Sequence, residues 1–454
     1  MPAETITLPP NAPRLRRALT LWDLVLYGIV VTSPTAPMPV FGVVSDRARG
    51  HVVTAILIAM VAMLFTAISY GRMAQAYPSA GSAFTYVGRA IHPAWGFVTG
   101  WGMVMNYLLN PLICTILCTQ FTRNFAPGLP YVVGVIFYAG LFTGLNLFGI
   151  ETTARINEVL AMVMGLVIVV FFVAAARYIF GHAHADTGFF TRPFYDPGTF
   201  ELKSVLGGTS LAVLTYVGFD GISTLSEESK NPKRDILLAT VLVCLATGVL
   251  AAFVVYAAQL VWPVTRPFPD VDTAFVHVAG LAGGPWLLQL VNGTLLVATV
   301  GSGLGSQIGA ARLLYGMGRG NVIPKKFFGA IEPQRRIPRN NVIFSGAVAL
   351  LGALTIDFAR GVDLLNFGAL IAFMGVNAAA LMHYYIRSQA RRLIDLISPA
   401  SGFLICLLLW WNLNSRAKLL GMAWMILGFG YGAVRTRGFR RELVNFEIPP
   451  DAGP

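Results

Sequence analysis

The chain has 454 residues, of which 56% are hydrophobic and only 12% are charged. A typical soluble domain has about 25% charged and 45–50% apolar residues, so this chain carries more apolar surface than one soluble core can bury. These proportions exclude a soluble enzyme and an intrinsically disordered chain, and the net charge of +12 comes from basic residues that form no nucleic-acid-binding tract.

Twelve stretches are long and apolar enough, or nearly so, to cross a bilayer as helices, because a membrane helix needs about 20 mostly apolar residues. In chain order, these stretches, called segments 1 to 12, lie at 20–44, 52–73, 94–122, 129–149, 156–180, 204–226, 236–262, 285–316, 341–358, 362–386, 398–414 and 418–435. The sequence therefore predicts an all-α integral membrane protein with twelve transmembrane helices in contact with the lipid bilayer.

The basic residues predict the orientation of these helices. With twelve crossings, about two thirds of the 33 lysine and arginine residues fall on the side that holds both chain ends. Cytoplasmic loops of membrane proteins are enriched in these residues. We therefore expect a multi-pass protein of the plasma (inner) membrane, with cytoplasmic tails at 1–19 and 436–454.

Segments 1 and 6 contain residues that interrupt a helix. Segment 1 has Pro34, Pro37 and Pro39 near its middle, and segment 6 has Gly218 and Gly221 on either side of an aspartate. Each proline removes a backbone donor and clashes with the preceding turn. Interrupted helices at matching positions in two halves are typical of transporter binding sites, although simple kinks packed against neighbouring helices are the alternative.

The aspartate between the two glycines, Asp220, is an ionisable residue inside a predicted membrane helix. Placing such a group there costs about 2.5–3.5 kcal/mol even on the gentler scales, which points to a functional role. It could bind a substrate ammonium group, or it could take up and release a proton. It could also accept N–H bonds as the cap of the half-helix that follows, and this role is compatible with the others.

Three separated blocks of sequence resemble the amino acid–polyamine–organocation permease family. They are residues 218–220 with 227–235, residues 77–86 after segment 2, and residues 311–319 after segment 8. Within the family, the sequence is most similar to that of bacterial putrescine importers, as seen in residues 65–71, 225–228 and 366–370.

This resemblance implies a LeuT-like five-plus-five inverted repeat with broken helices 1 and 6. The first repeat would cover 20–180, the second 204–386, and the pair of helices at 398–435 would lie outside the repeat. The substrate-binding candidates carried over from the family are Ser33, Thr35, Ala36, Tyr107, Tyr216, Gly218, Phe219 and Asp220. The coupling or gating candidates are Asp220, Glu227 and Glu228, of which the two glutamates could equally form a solvated charge cluster.

The implied function is that of a secondary transporter, which imports a small amine or amino acid such as putrescine by alternating access. Pro34 and Pro37 remove N–H donors that hold a substrate carboxylate in many relatives, and this favours an amine. In contrast, the putrescine branch carries acids where this chain has Pro39 and Asn106, and proton-coupled relatives often have a lysine at the position of Met164. These departures leave both the substrate and the coupling ion, proton or sodium, open.

We expect neither enzymatic activity nor a metal or other cofactor, and no obligate protein partner is evident. The alternative function is a membrane sensor or receptor that binds a ligand in the same pocket without moving it. Saturable binding without accumulation in vesicles would distinguish that function from transport.

Overall fold

The computed structural model describes residues 19–78, 82–148, 154–182, 188–226, 228–263, 266–319, 323–332, 335, 337–389 and 391–436. Each of the twelve predicted segments coincides with a helix or a pair of helices in this part of the chain. In chain order these are Leu21–Thr32 with Pro37–Arg47, Val52–Ala76, Pro93–Phe125, Tyr131–Phe148, Ala154–Gly181, Leu202–Ala212 with the 3-10 turns Val213–Tyr216 and Phe219–Leu225, Pro232–Val261, Pro285–Arg319, Arg339–Thr355, Phe358–Leu381 with the π turn Met382–Ile386, Leu393–Trp411 and Ser415–Arg435.

Three shorter helices, Ser82–Ala90, Ala274–Gly283 and Lys325–Phe328, lie between the segments. The described residues form no strand, and their one isolated β-bridge joins Leu19 to Ser229.

The helices have the length and composition of a multi-pass membrane protein. Within the described residues, ten are long and apolar enough to cross a bilayer, and the bent pair of segment 1 makes an eleventh. The helix of segment 9, Arg339–Thr355, has 17 residues. The twelfth crossing therefore stays a prediction.

Several helices begin earlier than the hydropathy pattern predicts, and those of segments 7, 10 and 11 begin four or five residues earlier. Segment 7 starts at Pro232 rather than at residue 236, because proline is favoured in the first turn of a helix, where its missing N–H is not needed. Segment 11 starts at Leu393 rather than at residue 398, and Asp395 in its first turn forms an ion pair with Arg72 at 2.6 Å. The turn added to segment 7, with Lys233, Arg234 and Asp235, is polar, so an apolar window does not detect it. The residues added to segment 11 are apolar apart from Asp395.

Small residues and short polar side chains hold the helices together. The backbones of Gly88 and Gly96 meet where the helix Ser82–Ala90 packs on segment 3, and close approach through small residues is the usual way that membrane helices associate. Asn377 of segment 10 accepts a 2.7 Å hydrogen bond from Ser69 of segment 2. Such bonds give the side chains a partner where water is absent.

A buried ion pair joins the second half of segment 1 to segment 10. Arg47 contacts Asp363 at 3.2 Å, and the Asp363 side chain is fully buried. Removing one partner of such a pair leaves an uncompensated charge, which typically costs about 3–5 kcal/mol. The pair therefore fixes the position of the helix Pro37–Arg47.

We predict that Gly96→Ala destabilises the protein. A Cβ atom at this position would lie 2.8 Å from the Cα of Gly88 and 2.9 Å from the carbonyl oxygen of Phe84, and backbone atoms yield little. The overpacking should cost about 1–3 kcal/mol, more than the helix propensity of up to about 1 kcal/mol that alanine adds. The measurement is the thermal unfolding midpoint of purified protein in detergent.

Gly140→Ala is the matched control. It lies within the helix Tyr131–Phe148, and no atom of the described residues comes within 4 Å of the place that an alanine Cβ would occupy. Its midpoint should stay level or rise slightly. An unchanged midpoint for Gly96→Ala would contradict the assigned contact.

Candidate functional site

The helix of segment 1 is broken over four residues, Ser33 to Ala36. The two halves, Leu21–Thr32 and Pro37–Arg47, meet at an angle of 54°. Ser33 has φ = 61°, a left-handed conformation that is uncommon for a residue with a side chain. The segment is therefore interrupted where the prolines predict.

The break in segment 6 is built around Gly218. The α-helix ends at Ala212, two 3-10 turns follow, and Gly218 between them has φ = 124°. The Gly218 N–H donates a 3.2 Å hydrogen bond to Oδ1 of Asp220. The carboxylate thus satisfies a backbone donor freed by the break, as the capping role predicts, and Asp220 is partly buried.

The two breaks lie against each other. A Cβ atom on Gly218 would lie 3.1 Å from a methyl group of Val31, 3.3 Å from the Val31 carbonyl oxygen and 3.5 Å from the Cα of Thr32. A side chain here would crowd Val31, and the φ of 124° also favours glycine. The structure therefore brings the interrupted parts of segments 1 and 6 together.

The two predicted hydroxyl residues of segment 1 share a partner in segment 5. The Ser33 and Thr35 hydroxyls lie 3.1 Å apart, and they point at the Met164 sulfur at 3.5 and 3.6 Å. Ala36, the last residue of the break, is half-buried beside them. The family resemblance aligns Met164 with a lysine of proton-coupled relatives. Met164 thus contacts the break, but its thioether carries no charge.

Two tyrosines pack against glycines of neighbouring segments. Tyr107 of segment 3, which the sequence predicts as a substrate contact, approaches segment 8, where a Cβ on Gly309 would lie 3.5 Å from its ring. Tyr27 of segment 1, which the sequence does not single out, approaches Gly221 of segment 6. The Tyr27 hydroxyl lies 3.9 Å from the position of a Cβ on Gly221. Among the described residues, no lysine, arginine or histidine pairs with Asp220.

Two further predicted residues direct their side chains away from Asp220. The Tyr216 hydroxyl donates a 2.8 Å hydrogen bond to the Ile56 carbonyl of segment 2. Phe219 is fully buried against Tyr70 and Phe373, with ring centroids 5.7 and 5.5 Å away. In a 3-10 turn residues three apart share a face, so Phe219 and the equally buried Ile222 face the interior, and Asp220 lies on another side.

The two predicted gating glutamates follow the break in segment 6. Glu227 lies outside the described residues. The Glu228 carbonyl accepts a 3.0 Å hydrogen bond from the N–H of Leu19, and the Lys230 N–H donates to the Leu19 carbonyl at 2.9 Å. The chain before segment 1 is therefore held by backbone bonds to the loop after segment 6.

The two halves of segment 1 differ in packing. In the first half, Tyr27 and Val31 are 39% and 43% exposed, although both lie beside the break in segment 6. In the second half, Phe41 is fully buried, and Gly42 packs against the carbonyl oxygen of Val271 from the chain between segments 7 and 8. The site is covered on the side of the second half and less packed on the side of the first.

Comparison with known proteins confirms the resemblance seen in the sequence. The model of the amino acid permease family matches residues 42–434. The low-affinity putrescine importer PlaP of Escherichia coli K12 is 36% identical over 452 residues, which cover 96% of this chain and 98% of the importer. The branched-chain amino acid permease BcaP of Bacillus subtilis is 25% identical over 450 residues, which cover 94% of each chain.

We predict that Gly218→Ala destabilises the junction of the two breaks. Alanine at φ = 124° is strained, by about 1–3 kcal/mol for such conformations, and its methyl group would press on Val31. The thermal unfolding midpoint in detergent should fall. Gly221→Ala is the control, because its Cβ would meet only the Tyr27 hydroxyl at 3.9 Å; equal midpoints for the two variants would refute the assigned role of Gly218.

Proposed function

The chain belongs to the amino acid permease family, and we propose that it is a secondary transporter that imports a small amine or amino acid by alternating access. The observation that carries this proposal is the meeting of two broken helices at Asp220, a partly buried aspartate without a cationic partner among the described residues. Such a carboxylate is suited to the ammonium group of a substrate.

Within this class we favour an amine that resembles putrescine. The relative that shares 36% of its residues is a putrescine importer. Pro34 and Pro37 also leave the break in segment 1 with fewer N–H groups for a substrate carboxylate. Asp220 would bind the ammonium group, while Ser33, Thr35, Ala36 and Gly218 would offer hydroxyl and carbonyl oxygens from the two breaks.

For the architecture, we propose twelve transmembrane helices in a five-plus-five inverted repeat, with segments 11 and 12 outside it and both termini in the cytoplasm. The first half of segment 1 is then its cytoplasmic half. The exposure of Tyr27 and Val31 beside the break, together with the burial of Phe41 on the other side, supports a conformation that is closed outside and more open inside. The 54° break separates the two halves that alternating access must move differently.

For energy coupling, we propose an inward proton gradient. Asp220 is the titratable carboxylate at the junction of the breaks, so its protonation would change the charge that the substrate meets. Met164, which contacts Ser33 and Thr35, cannot carry a proton. Uptake driven by an inward sodium gradient at equal pH on both sides would refute proton coupling and leave the transport proposal intact.

We predict that Asp220→Asn loses amine uptake. A hydrogen bond between charged groups contributes about 1.5–3 kcal/mol, so the loss should be about tenfold to a hundredfold. The measurement is uptake of labelled putrescine into proteoliposomes with an inward proton gradient. Asp46→Asn, at an exposed aspartate near the end of the helix Pro37–Arg47, is the control and should retain uptake.

Both variants should elute as the same species in size-exclusion chromatography, so that a loss of uptake reports on the site. If Asp220→Asn takes up putrescine at the wild-type rate, this carboxylate does not bind the substrate.

A further inference from the structure

The short helix Ser82–Ala90, which begins within the block of residues 77–86, is hydrogen-bonded to the turn that carries Asp220. The Ser82 hydroxyl lies 2.9 Å from the Ser223 hydroxyl, and both side chains are buried. Ser223 in turn donates a 2.7 Å hydrogen bond to the Asp220 carbonyl. Two distant parts of the sequence are thus joined by a chain of hydrogen bonds that ends at Asp220.

The direction of this chain follows from the number of protons. A serine hydroxyl has one proton to donate and two lone pairs that can accept. Because Ser223 donates its proton to the Asp220 carbonyl, its oxygen accepts the proton of Ser82. The Gly218 N–H bonds the carboxylate of the same aspartate. Asp220 is therefore held at its carboxylate by Gly218 and at its carbonyl by Ser82 acting through Ser223.

Ser82 has a backbone conformation that is uncommon for a residue with a side chain. Its φ is 47°, in the left-handed region, at the first residue of its helix. Strained residues persist where the surrounding structure holds them, and they are concentrated at functional sites. A glycine would adopt this φ without strain, but it has no hydroxyl for Ser223. The hydrogen bond, and not the backbone turn, therefore accounts for a serine at this position.

The helix Ser82–Ala90 is packed on two membrane segments. The backbone of Gly88 meets that of Gly96 in segment 3, and a Cβ on Gly375 of segment 10 would lie 3.1 Å from a methyl group of Val87. The turn Phe219–Leu225 is a 3-10 helix, whose hydrogen bonds have poorer geometry than those of an α-helix. The packed helix is therefore suited to hold a turn that is less well bonded on its own.

We propose that Ser82 is a positioning residue, which acts through Ser223 to keep Asp220 oriented towards the substrate. This inference rests on the proposed function, because it concerns the residue that would bind the ammonium group. Loss of the Ser82 hydroxyl would loosen the turn and widen the range of orientations of the carboxylate. The substrate would then bind more weakly, through the turn and not through a lost contact with Ser82 itself.

The test compares Ser82→Ala and Ser82→Gly in the full-length protein purified in detergent. Both variants lack the hydroxyl, but glycine also relieves the strain at φ = 47°, so its thermal unfolding midpoint should exceed that of the alanine variant. Hydrogen–deuterium exchange of the turn Phe219–Leu225, measured by mass spectrometry at one pH, should be about threefold to tenfold faster in both. The Kd for putrescine, obtained from the rise of the midpoint with ligand concentration, should increase by the same factor.

Ser210→Ala is the matched control. Ser210 is a fully buried serine of segment 6 whose hydroxyl donates a 2.7 Å hydrogen bond to the Leu409 carbonyl of segment 11. This variant should keep the wild-type exchange of the turn and the wild-type Kd. Combining Ser82→Ala with Ser223→Ala should give the exchange of Ser223→Ala alone, because effects transmitted through one shared partner are not additive.

Wild-type exchange of the turn in both Ser82 variants would overturn the inference, and so would additive effects of Ser82→Ala and Ser223→Ala. Faster exchange with an unchanged Kd would also overturn it, since the turn would then not position Asp220. A merely structural effect would make the Kd follow the midpoint, so that Ser82→Gly would bind putrescine more tightly than Ser82→Ala. A wild-type protein that binds no putrescine would refute the proposed substrate, and the exchange rates would still decide whether Ser82 holds the turn.

Discussion

A backbone polar group inside a bilayer has no water to bond, so a helix can break there only where protein or ligand satisfies the freed groups. Most of this structure can be understood from that constraint. Segments 1 and 6 break where their backbones approach each other. Gly218 lets the two backbones come close, and the Asp220 carboxylate accepts the N–H of Gly218 within segment 6. The proposed substrate site lies at this junction.

The surrounding helices fix some parts of this junction and leave others free. The second half of segment 1 is tied to segment 10 by Arg47 and Asp363 and is covered by the chain around Val271. The first half has an exposed face and is held at its start by the backbone bonds of Leu19. A helix that is anchored on one side of a break and less packed on the other has a mechanical asymmetry that the proposed alternating access would use.

Much of this could be predicted from the sequence, because the signals are local. Apolar runs of about 20 residues locate the helices, prolines and glycines locate the breaks, and an acid within an apolar run stands out as costly. Tyr27 gave no such signal. A tyrosine in an apolar helix is ordinary, and only the packing of segments 1 and 6 places its hydroxyl beside Gly221.

The type of helical turn at the break in segment 6 also could not be predicted from the sequence pattern. Phe219 neighbours Asp220 in the chain, and the family resemblance places both at the substrate. The 3-10 turn rotates Phe219 into the same face as Ile222, where both are fully buried. Whether a residue next to a binding residue faces the ligand thus depends on the local turn type, which the tertiary packing selects.

The central claim is that this site is exposed to the two sides of the membrane in turn, and counterflow tests it most directly. Proteoliposomes loaded with unlabelled putrescine, with no ion gradient, are diluted into labelled putrescine. We expect label to accumulate transiently above its outside concentration, because an alternating site carries substrate in both directions. Saturable binding of putrescine without any counterflow would contradict alternating access and show a receptor instead of a transporter.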